Sequence, residues 1–268
     1  MLDLAIKAAI RGAKEILDVY QKDFEVEFKS DKSPLTLADK RSHEAICEIL
    51  KETGLPILSE EGKSIPFETR KNWKRFWMVD PLDGTKEFVK QNGEFTVNIA
   101  LIDENRAEIG VIYVPVSGWL YFASESTGAM KTLVSGNEKD TIEKLITTAN
   151  KLPGNDFNSR LIVVCSRSHM SNETSDYIQR LRDSGHDLDF VSIGSSLKMC
   201  LVAEGKAHIY PRFGPTMEWD TAAGQAIVEK SGGEVLKTDS PEQVRYNKAD
   251  LLNPWFIASR IKSKTPAQ

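Results

Sequence analysis

The sequence predicts an α/β fold built as a layered sandwich, with an antiparallel sheet in its N-terminal part and a second, mixed sheet in its C-terminal part. Three observations predict this fold. Two amphipathic helical patterns open the chain, strands and turns alternate over 95–130, and strands alternate with helices from residue 161 onward. With 268 residues, the chain is close to the length at which one core divides into two subdomains. We predict these subdomains at 1–135 and 159–260.

Two helices are predicted near the N-terminus. Apolar residues of the first recur at helical spacing: Leu2, Ile6, Ala9, Ile10, Ala13, Ile16, Leu17 and Tyr20. The second ends before Gly54 and shows the same spacing at Ala45, Ile46, Ile49 and Leu50. Thr36 and Asp39 lie three residues apart at the start of this second helix.

The two sheets are predicted from different patterns. Strands at 95–101, 110–114 and 119–122, joined by turns at 103–105 and 117–118, indicate an antiparallel meander. A polar stretch at about 135–158 follows. Beyond it, strands alternate with helices, the strands at 161–165, 190–193, 207–210 and 235–236 and the helices at 173–182, 196–204 and 220–230.

Composition narrows the class of protein. Hydrophobic residues make up 40% of the chain and charged residues 28%, as in globular proteins. The 39 Asp and Glu residues outnumber the 35 Lys and Arg residues, so no basic field favours nucleic acid. The chain shows neither a signal-peptide pattern nor a membrane-spanning stretch, which predicts a cytoplasmic protein, with peripheral association at the inner membrane face as an alternative. Without a C-x-x-C pair, Cys47, Cys165 and Cys200 are predicted to be buried thiols.

The segment 80–85, Asp-Pro-Leu-Asp-Gly-Thr, follows the apolar run 76–79. Pro81 is predicted to end the strand there and to start a turn. Three oxygen donors of this turn can converge on a hard cation: Asp80, Asp83 and the Leu82 carbonyl. Two amides at its edge can receive a phosphoryl oxygen: those of Gly84 and Thr85. An ordinary acidic turn is the alternative, because turns select Asp, Pro and Gly on conformational grounds alone.

Other acidic residues also lie at predicted element ends. Glu60 and Glu61 follow a short strand, Asp39 lies near the start of one helix, and Asp220 lies near the start of another. Each has a structural alternative. Asp39 matches a capping box with Thr36, and Asp220 can complement a helix dipole. Only the four clusters together favour a site.

Taken together, Asp39, Glu60-Glu61, 80–85 and Trp219-Asp220-Thr221-Ala222-Ala223 resemble the signature of the inositol monophosphatase superfamily, which comprises lithium-sensitive, magnesium-dependent phosphomonoesterases. Further runs resemble its 3'(2'),5'-bisphosphate nucleotidases of the CysQ type. These runs are 86–88, 92–102, 166–169, 193–198 and 210–216. The resemblance covers roughly residues 1–260 and implies a sugar-phosphatase-type fold.

The resemblance implies a set of site residues. Glu60, Asp80 and the Leu82 carbonyl would hold one Mg²⁺, and Asp80, Asp83 and Asp220 a second. A third, weaker ion would lie near Glu60, whereas Glu61 is expected outside the ligand shell. Thr85 and Asp39 would take a proton from the attacking water, so no covalent enzyme intermediate forms.

The expected substrate is a small nucleotide bisphosphate, adenosine 3',5'-bisphosphate, with its sulfated analogue PAPS as a second. By resemblance, the residues near the nucleotide and its 5'-phosphate are His169, Ser195, Lys198 and Arg212, each with a structural alternative as a turn or surface residue. Two other functions stay open: an inositol monophosphatase or fructose-1,6-bisphosphatase on the same metal site, and a non-catalytic nucleotide or metal sensor. A monomer or homodimer is expected.

Overall fold

The computed structural model describes the chain in six segments: residues 1–22, 26–28, 34–136, 140–154, 160–165 and 171–261. Within these segments the α-helices are α1 (Leu2–Tyr20), α2 (Leu37–Leu50), α3 (Phe67–Arg70), α4 (Thr85–Val89), α5 (Ile142–Thr147), α6 (Asn172–Asp183), α7 (Leu197–Glu204) and α8 (Glu218–Lys230). A short 3₁₀ helix, Lys51–Thr53, follows α2. None of the helices in these segments is both long enough and apolar enough to cross a bilayer.

The larger sheet contains seven strands. The hairpin of β1 (Val26–Phe28) and β2 (Pro34–Thr36) precedes it in the chain and pairs only with itself among the described strands. The sheet follows chain order: β3 (Ile57–Ser59), β4 (Arg75–Asp83), β5 (Thr96–Asp103), β6 (Arg106–Val114), β7 (Trp119–Ser124), β8 (Gly128–Leu133) and β9 (Asn150–Lys151). Its neighbours pair antiparallel, except that β3 runs parallel to β4.

The smaller sheet is mixed, as predicted. Its strands are β10 (Leu161–Cys165), β11 (Leu188–Ser192), β12 (Ile209–Arg212), β13 (Glu234–Lys237) and β14 (Phe256–Ser259). In space they follow the order β11-β10-β12-β14-β13. The pairs of β10 are parallel, and those of β14 are antiparallel.

Alternating side chains of the strands build two cores on opposite faces of the larger sheet. On β4, Trp77 and Val79 pack with α1 and α2, whereas Phe76 and Met78 belong to a core shared with α7, α8 and the smaller sheet. On the outer face of the smaller sheet, Ile178 of α6 packs against β10. The result is five layers, helix-sheet-helix-sheet-helix, which confirms the predicted sandwich with helices between and outside the sheets.

The structure differs from the sequence prediction in several places. β4 does not end at Val79 but continues through Pro81 to Asp83. The polar stretch at 135–158 carries the short elements α5 and β9. The short elements α3, α4, β8 and β14 were not predicted, since segments of four to six residues carry little periodicity. All three cysteines are buried and free, as predicted. The subdomain boundaries stay a prediction.

Candidate active site

The motif at 80–85 forms the end of β4 and the entry to α4. Asp80 pairs with Asn98 of β5, and Asp83 pairs with Thr96, so β4 contains one more residue than its partner between these pairs. This is a β-bulge, the place in a sheet where a proline without an N–H is tolerated. The bulge therefore explains why Pro81 does not end the strand, contrary to the prediction.

The turn itself falls at Gly84, whose φ of 92° lies in the left-handed region. A Cβ atom at this position would lie 3.2 Å from Ser195 Cβ and 3.3 Å from the Glu94 carbonyl oxygen. Both the backbone angle and the close neighbours require glycine here. Gly84 thus allows the end of β4 to pack closely against Ser195, in the segment that precedes α7.

Three carboxylates from three elements meet at the end of β4. One oxygen each from Glu60, Asp80 and Asp220 lies within 4.8 Å of the others. Glu60 follows β3, and its N–H donates to the Val79 carbonyl at 3.1 Å. Asp220 lies in the first turn of α8. The parallel pairing of β3 with β4 and the approach of α8 bring these residues together.

The aspartates of the site share a pattern of hydrogen bonding. Asp80 Oδ1 accepts from the Leu82 N–H at 3.0 Å, Asp220 Oδ2 from the Met217 N–H at 2.9 Å, and Asp83 Oδ2 from the Ser196 N–H at 2.5 Å. In each case the protein fixes one carboxylate oxygen through a backbone donor. Within the described residues, the second oxygen of each accepts no protein hydrogen bond.

Burial and mutual repulsion disfavour the charged forms of these aspartates. Burial, with the charges of Glu60, Asp83 and Asp220, raises the pKa of Asp80, which is 2% exposed, well above its usual range. Burial and Asp83 raise the pKa of Asp220 in the same way. Burial raises the pKa of Asp83 to about 6, although Lys198 and the Ser196 N–H act against the rise. These shifts show that the carboxylates lack enough neighbouring positive charge to balance their own. Their ligand atoms are all oxygens, which are the atoms that Mg²⁺ prefers.

Asp39 and Thr85 lie next to this cluster. Asp39 Oδ2 accepts hydrogen bonds from the N–H and the hydroxyl of Thr36, both at 2.7 Å, within the capping box of α2. Its other oxygen, Oδ1, lies 3.3 Å from the Thr85 hydroxyl, which is also 3.4 Å from the Leu82 carbonyl oxygen. Asp39 therefore serves as a helix cap and as a partner of Thr85 at once.

An open cleft of about 150 Å³ extends from the carboxylate cluster towards the smaller sheet. Its lining includes Asp83 and Asp220 together with four predicted substrate residues: Gly84, Ser195, Lys198 and Arg212. It also includes eight residues that the prediction did not assign to the site, among them Lys86, Glu87, Ser196 and Tyr210. Lys86 and Glu87 directly follow the 80–85 motif, which was the available signal for them. His169 lies outside the described residues.

The two predicted cations of the cleft are held by backbone carbonyls. Lys198 is 7% exposed, and its Nζ donates to the Ser195 carbonyl at 2.7 Å. Burial lowers the pKa of Lys198 to about 8, while the charge of Asp83 opposes this effect. Arg212 donates from Nη2 to the Pro215 carbonyl at 2.6 Å, and its Nε is buried without a hydrogen-bond partner in the described part of the chain. Two cations thus line the same cleft as Asp83 and Asp220.

The sequence of the chain matches a known family. The model of the inositol monophosphatase family matches residues 1–266. The chain belongs to the inositol monophosphatase family. The resemblance inferred from the separate motifs is thereby confirmed over almost the whole sequence.

Two relatives identify the branch of the family. The chain is 42% identical over 263 residues to the 3'(2'),5'-bisphosphate nucleotidase CysQ of Shigella flexneri, an alignment that covers 97% of this chain and 99% of that protein. The crystal structure of CysQ from Bacteroides thetaiotaomicron is 50% identical with a TM-score of 0.88, over 96% of both chains. These matches confirm the CysQ-type resemblance and support a phosphatase of this family.

A more distant structure shows the shared fold alone. The inositol monophosphatase from Anabaena (Nostoc) sp. is 23% identical to this chain and has a TM-score of 0.69. The match covers 97% of this chain and 90% of that one. The layered fold is therefore common to both.

Proposed function

We propose that this chain is a 3'(2'),5'-bisphosphate nucleotidase that hydrolyses the 3'-phosphate of adenosine 3',5'-bisphosphate to give AMP and phosphate. One observation carries the proposal: Asp83 and Asp220, which lie at the carboxylate cluster, line a single cleft together with the two cations Lys198 and Arg212. A substrate with two phosphates can place the reacting one at the carboxylates and the other at the cations. PAPS, which differs from adenosine 3',5'-bisphosphate by a sulfate on its 5'-phosphate, is a second substrate under the same proposal.

The carboxylate cluster is assigned to Mg²⁺. Glu60, Asp80 and the Leu82 carbonyl would hold one ion, and Asp80, Asp83 and Asp220 a second, with a third, weaker ion beside Glu60. Bound divalent cations neutralise such carboxylates and make water more acidic. The donor set fits, because it offers carboxylate and carbonyl oxygens and no sulfur or nitrogen.

Thr85 and Asp39 are assigned to the proton of the attacking water. The Thr85 hydroxyl donates to Asp39 Oδ1, so its own lone pairs face away from that bond and can accept from water. Thr36 fixes Asp39 through the opposite oxygen, which keeps Oδ1 directed at Thr85. The water oxygen bonds to phosphorus while the bond to the ribose 3'-oxygen breaks, and the water's proton passes towards this pair.

Lys198 and Arg212 are assigned to the 5'-phosphate, which does not react. An ammonium group supplies a point charge, and a guanidinium supplies a fork of donors that matches phosphate oxygens. The buried Nε of Arg212, without a partner among the described residues, offers one such donor. Ser195 and Gly84 line the same cleft and are assigned to the sugar.

The test compares two substrates that differ by one phosphate. Lys198→Ala and Arg212→Ala should each lower kcat/KM on adenosine 3',5'-bisphosphate by about ten- to a hundredfold, because each removes a charge-assisted contact. Hydrolysis of adenosine 3'-monophosphate, which lacks the 5'-phosphate, should stay nearly unchanged. Steady-state phosphate release measures both.

The matched control is Lys237→Ala, which removes an ammonium on β13 that pairs with the exposed Glu242. It should leave both substrates unaffected. Equal losses on the two substrates in the Lys198 and Arg212 variants would show that these residues support the fold or the reacting phosphate. A wild-type chain without preference for the bisphosphate would contradict the nucleotidase assignment itself.

A cytoplasmic location and a monomer or homodimer stay predictions from the sequence. The comparisons offer no support for the alternative of peripheral membrane association. The relatives named CysQ act on a nucleotide bisphosphate according to their names, and a small-molecule partner of that class is the one we propose here.

A further inference from the structure

Three buried polar side chains lie beside Asp83, and no assignment above uses their side chains. Thr96 and Asn98 are on β5 of the larger sheet, whereas Ser196 directly precedes α7. They are 0%, 1% and 5% exposed, respectively. Buried polar groups are costly unless they are hydrogen-bonded, so their arrangement calls for a structural reason.

The three side chains lie within hydrogen-bonding distance of one another, and their two hydroxyl protons can serve two of the three contacts at a time. The Ser196 hydroxyl lies 2.8 Å from Asn98 Oδ1 and 2.8 Å from the Thr96 hydroxyl. The Thr96 hydroxyl in turn lies 3.2 Å from Asn98 Oδ1. Hydroxyl protons therefore occupy the oxygen side of the Asn98 amide. We name this group, Thr96, Asn98 and Ser196, the polar triad.

The polar triad determines which way the Asn98 amide faces. Because its oxygen accepts from hydroxyl groups, its nitrogen must face the other side, where Nδ2 lies 3.5 Å from Asp83 Oδ2. The same Asp83 oxygen accepts the Ser196 N–H at 2.5 Å. Two donors thus converge on Asp83 Oδ2: the Asn98 amide of β5 and the backbone N–H of Ser196, which precedes α7. Among the described residues, Asp83 Oδ1 is left without a protein donor.

The polar triad also joins the two halves of the site. Ser196 lies between Ser195 and the helix that carries Lys198, both of which line the cleft. Asp83 and β5 belong to the larger sheet. The group therefore fixes the orientation of a proposed metal ligand relative to the segment proposed to bind the nucleotide.

We propose that Ser196 and Asn98, supported by Thr96, are positioning residues that orient Asp83 for binding a divalent cation. This inference rests on the proposed function, because it takes Asp83 as a ligand. Residues that hydrogen-bond to metal ligands typically change metal affinity by about 10- to 100-fold when they are removed. The polar triad would thus act on metal affinity, through Asp83, without touching the cation.

The experiment measures Mn²⁺ binding to the full chain without substrate, by electron paramagnetic resonance of free Mn²⁺. Ser196→Ala and Asn98→Ala should each weaken binding by about 10- to 100-fold. Ser196→Thr, which keeps the hydroxyl, should bind within about threefold of wild type, since only loss of that group is expected to cost affinity. The double variant should lose less than the product of the two single losses, because the Ser196 hydroxyl acts on Asp83 through Asn98, which the double variant lacks.

The matched control is Ser231→Ala, which deletes a buried hydroxyl that donates to the Val228 carbonyl at the far end of α8. It should bind Mn²⁺ as wild type does. If Ser196→Ala fails to fold, Thr96→Val removes a hydroxyl with little change in shape, and Thr96→Ser restores it. Thermal melting without metal verifies folding for each variant.

The outcomes separate two failures. Wild-type affinity in both Ser196→Ala and Asn98→Ala, or an equal loss in Ser231→Ala, overturns the positioning role and leaves the proposed function standing. A wild-type chain that binds no Mn²⁺ overturns the metal site itself, and the positioning role with it. Selective weakening that Ser196→Thr restores supports the inference.

Discussion

Asp80→Asn should lower kcat/KM far more than Glu61→Gln does. The Asp80 variant should lose more than the 10- to 100-fold that removal of an outer hydrogen-bond partner typically costs, and the Glu61 variant should lose about that amount or less. Steady-state phosphate release over a range of Mg²⁺ concentrations measures both, and the Asp80 variant should also need more Mg²⁺.

The reason is the position of Asp80 inside the carboxylate cluster. It is buried between Glu60 and Asp220 and is proposed to contact two cations, whereas Glu61 is partly exposed. Asparagine keeps the oxygen that accepts the Leu82 N–H, so the bulge of β4 should persist. Equal losses in the two variants would show that the ligand assignment is wrong.

Thr85→Ala should lower kcat by about 10²-fold or more while KM changes little. The hydroxyl is proposed to act on the water in the transition state, so its loss leaves substrate binding largely intact. Thr85→Ser keeps the hydroxyl that donates to Asp39 Oδ1 and should retain most of the activity. Initial-rate kinetics over substrate concentration separate the two parameters.

A different result would reassign Thr85. If KM rises in Thr85→Ala while kcat survives, Thr85 binds substrate and another group orients the water. Asp39→Asn provides an independent comparison, because its amide has one oxygen and cannot accept from both Thr36 and Thr85. Its effect on kcat should resemble that of Thr85→Ala, since the two residues are proposed to act as one unit.

The sequence predicted the layers of the fold because their signals are local. Helical spacing located α1, and the alternation of strands and turns located β5 to β7. The bulge at 80–83 could not be predicted, since it depends on how β4 pairs with β5. A proline inside a strand normally argues against the strand, and here pairing overrides that local preference.

The site was predictable where a motif lies within a few residues and unpredictable where distant segments meet. The sequence offered two predictions for Asp39, a helix cap and a catalytic residue. In the structure one of its oxygens accepts from Thr36 of the cap and the other from the Thr85 hydroxyl. The bond from Ser196 to Asp83 joins residues 113 positions apart, and Thr96 and Ser196 are 100 apart. No pattern in a single sequence reports such pairs, which is why the polar triad was missed.

The most direct test of the account is phosphate release by the purified chain from adenosine 3',5'-bisphosphate, inositol monophosphate and fructose 1,6-bisphosphate at matched Mg²⁺. The account predicts the highest kcat/KM for adenosine 3',5'-bisphosphate, because only this substrate combines a 3'-phosphate at the carboxylates with a 5'-phosphate at Lys198 and Arg212. A higher kcat/KM for either sugar phosphate would contradict it.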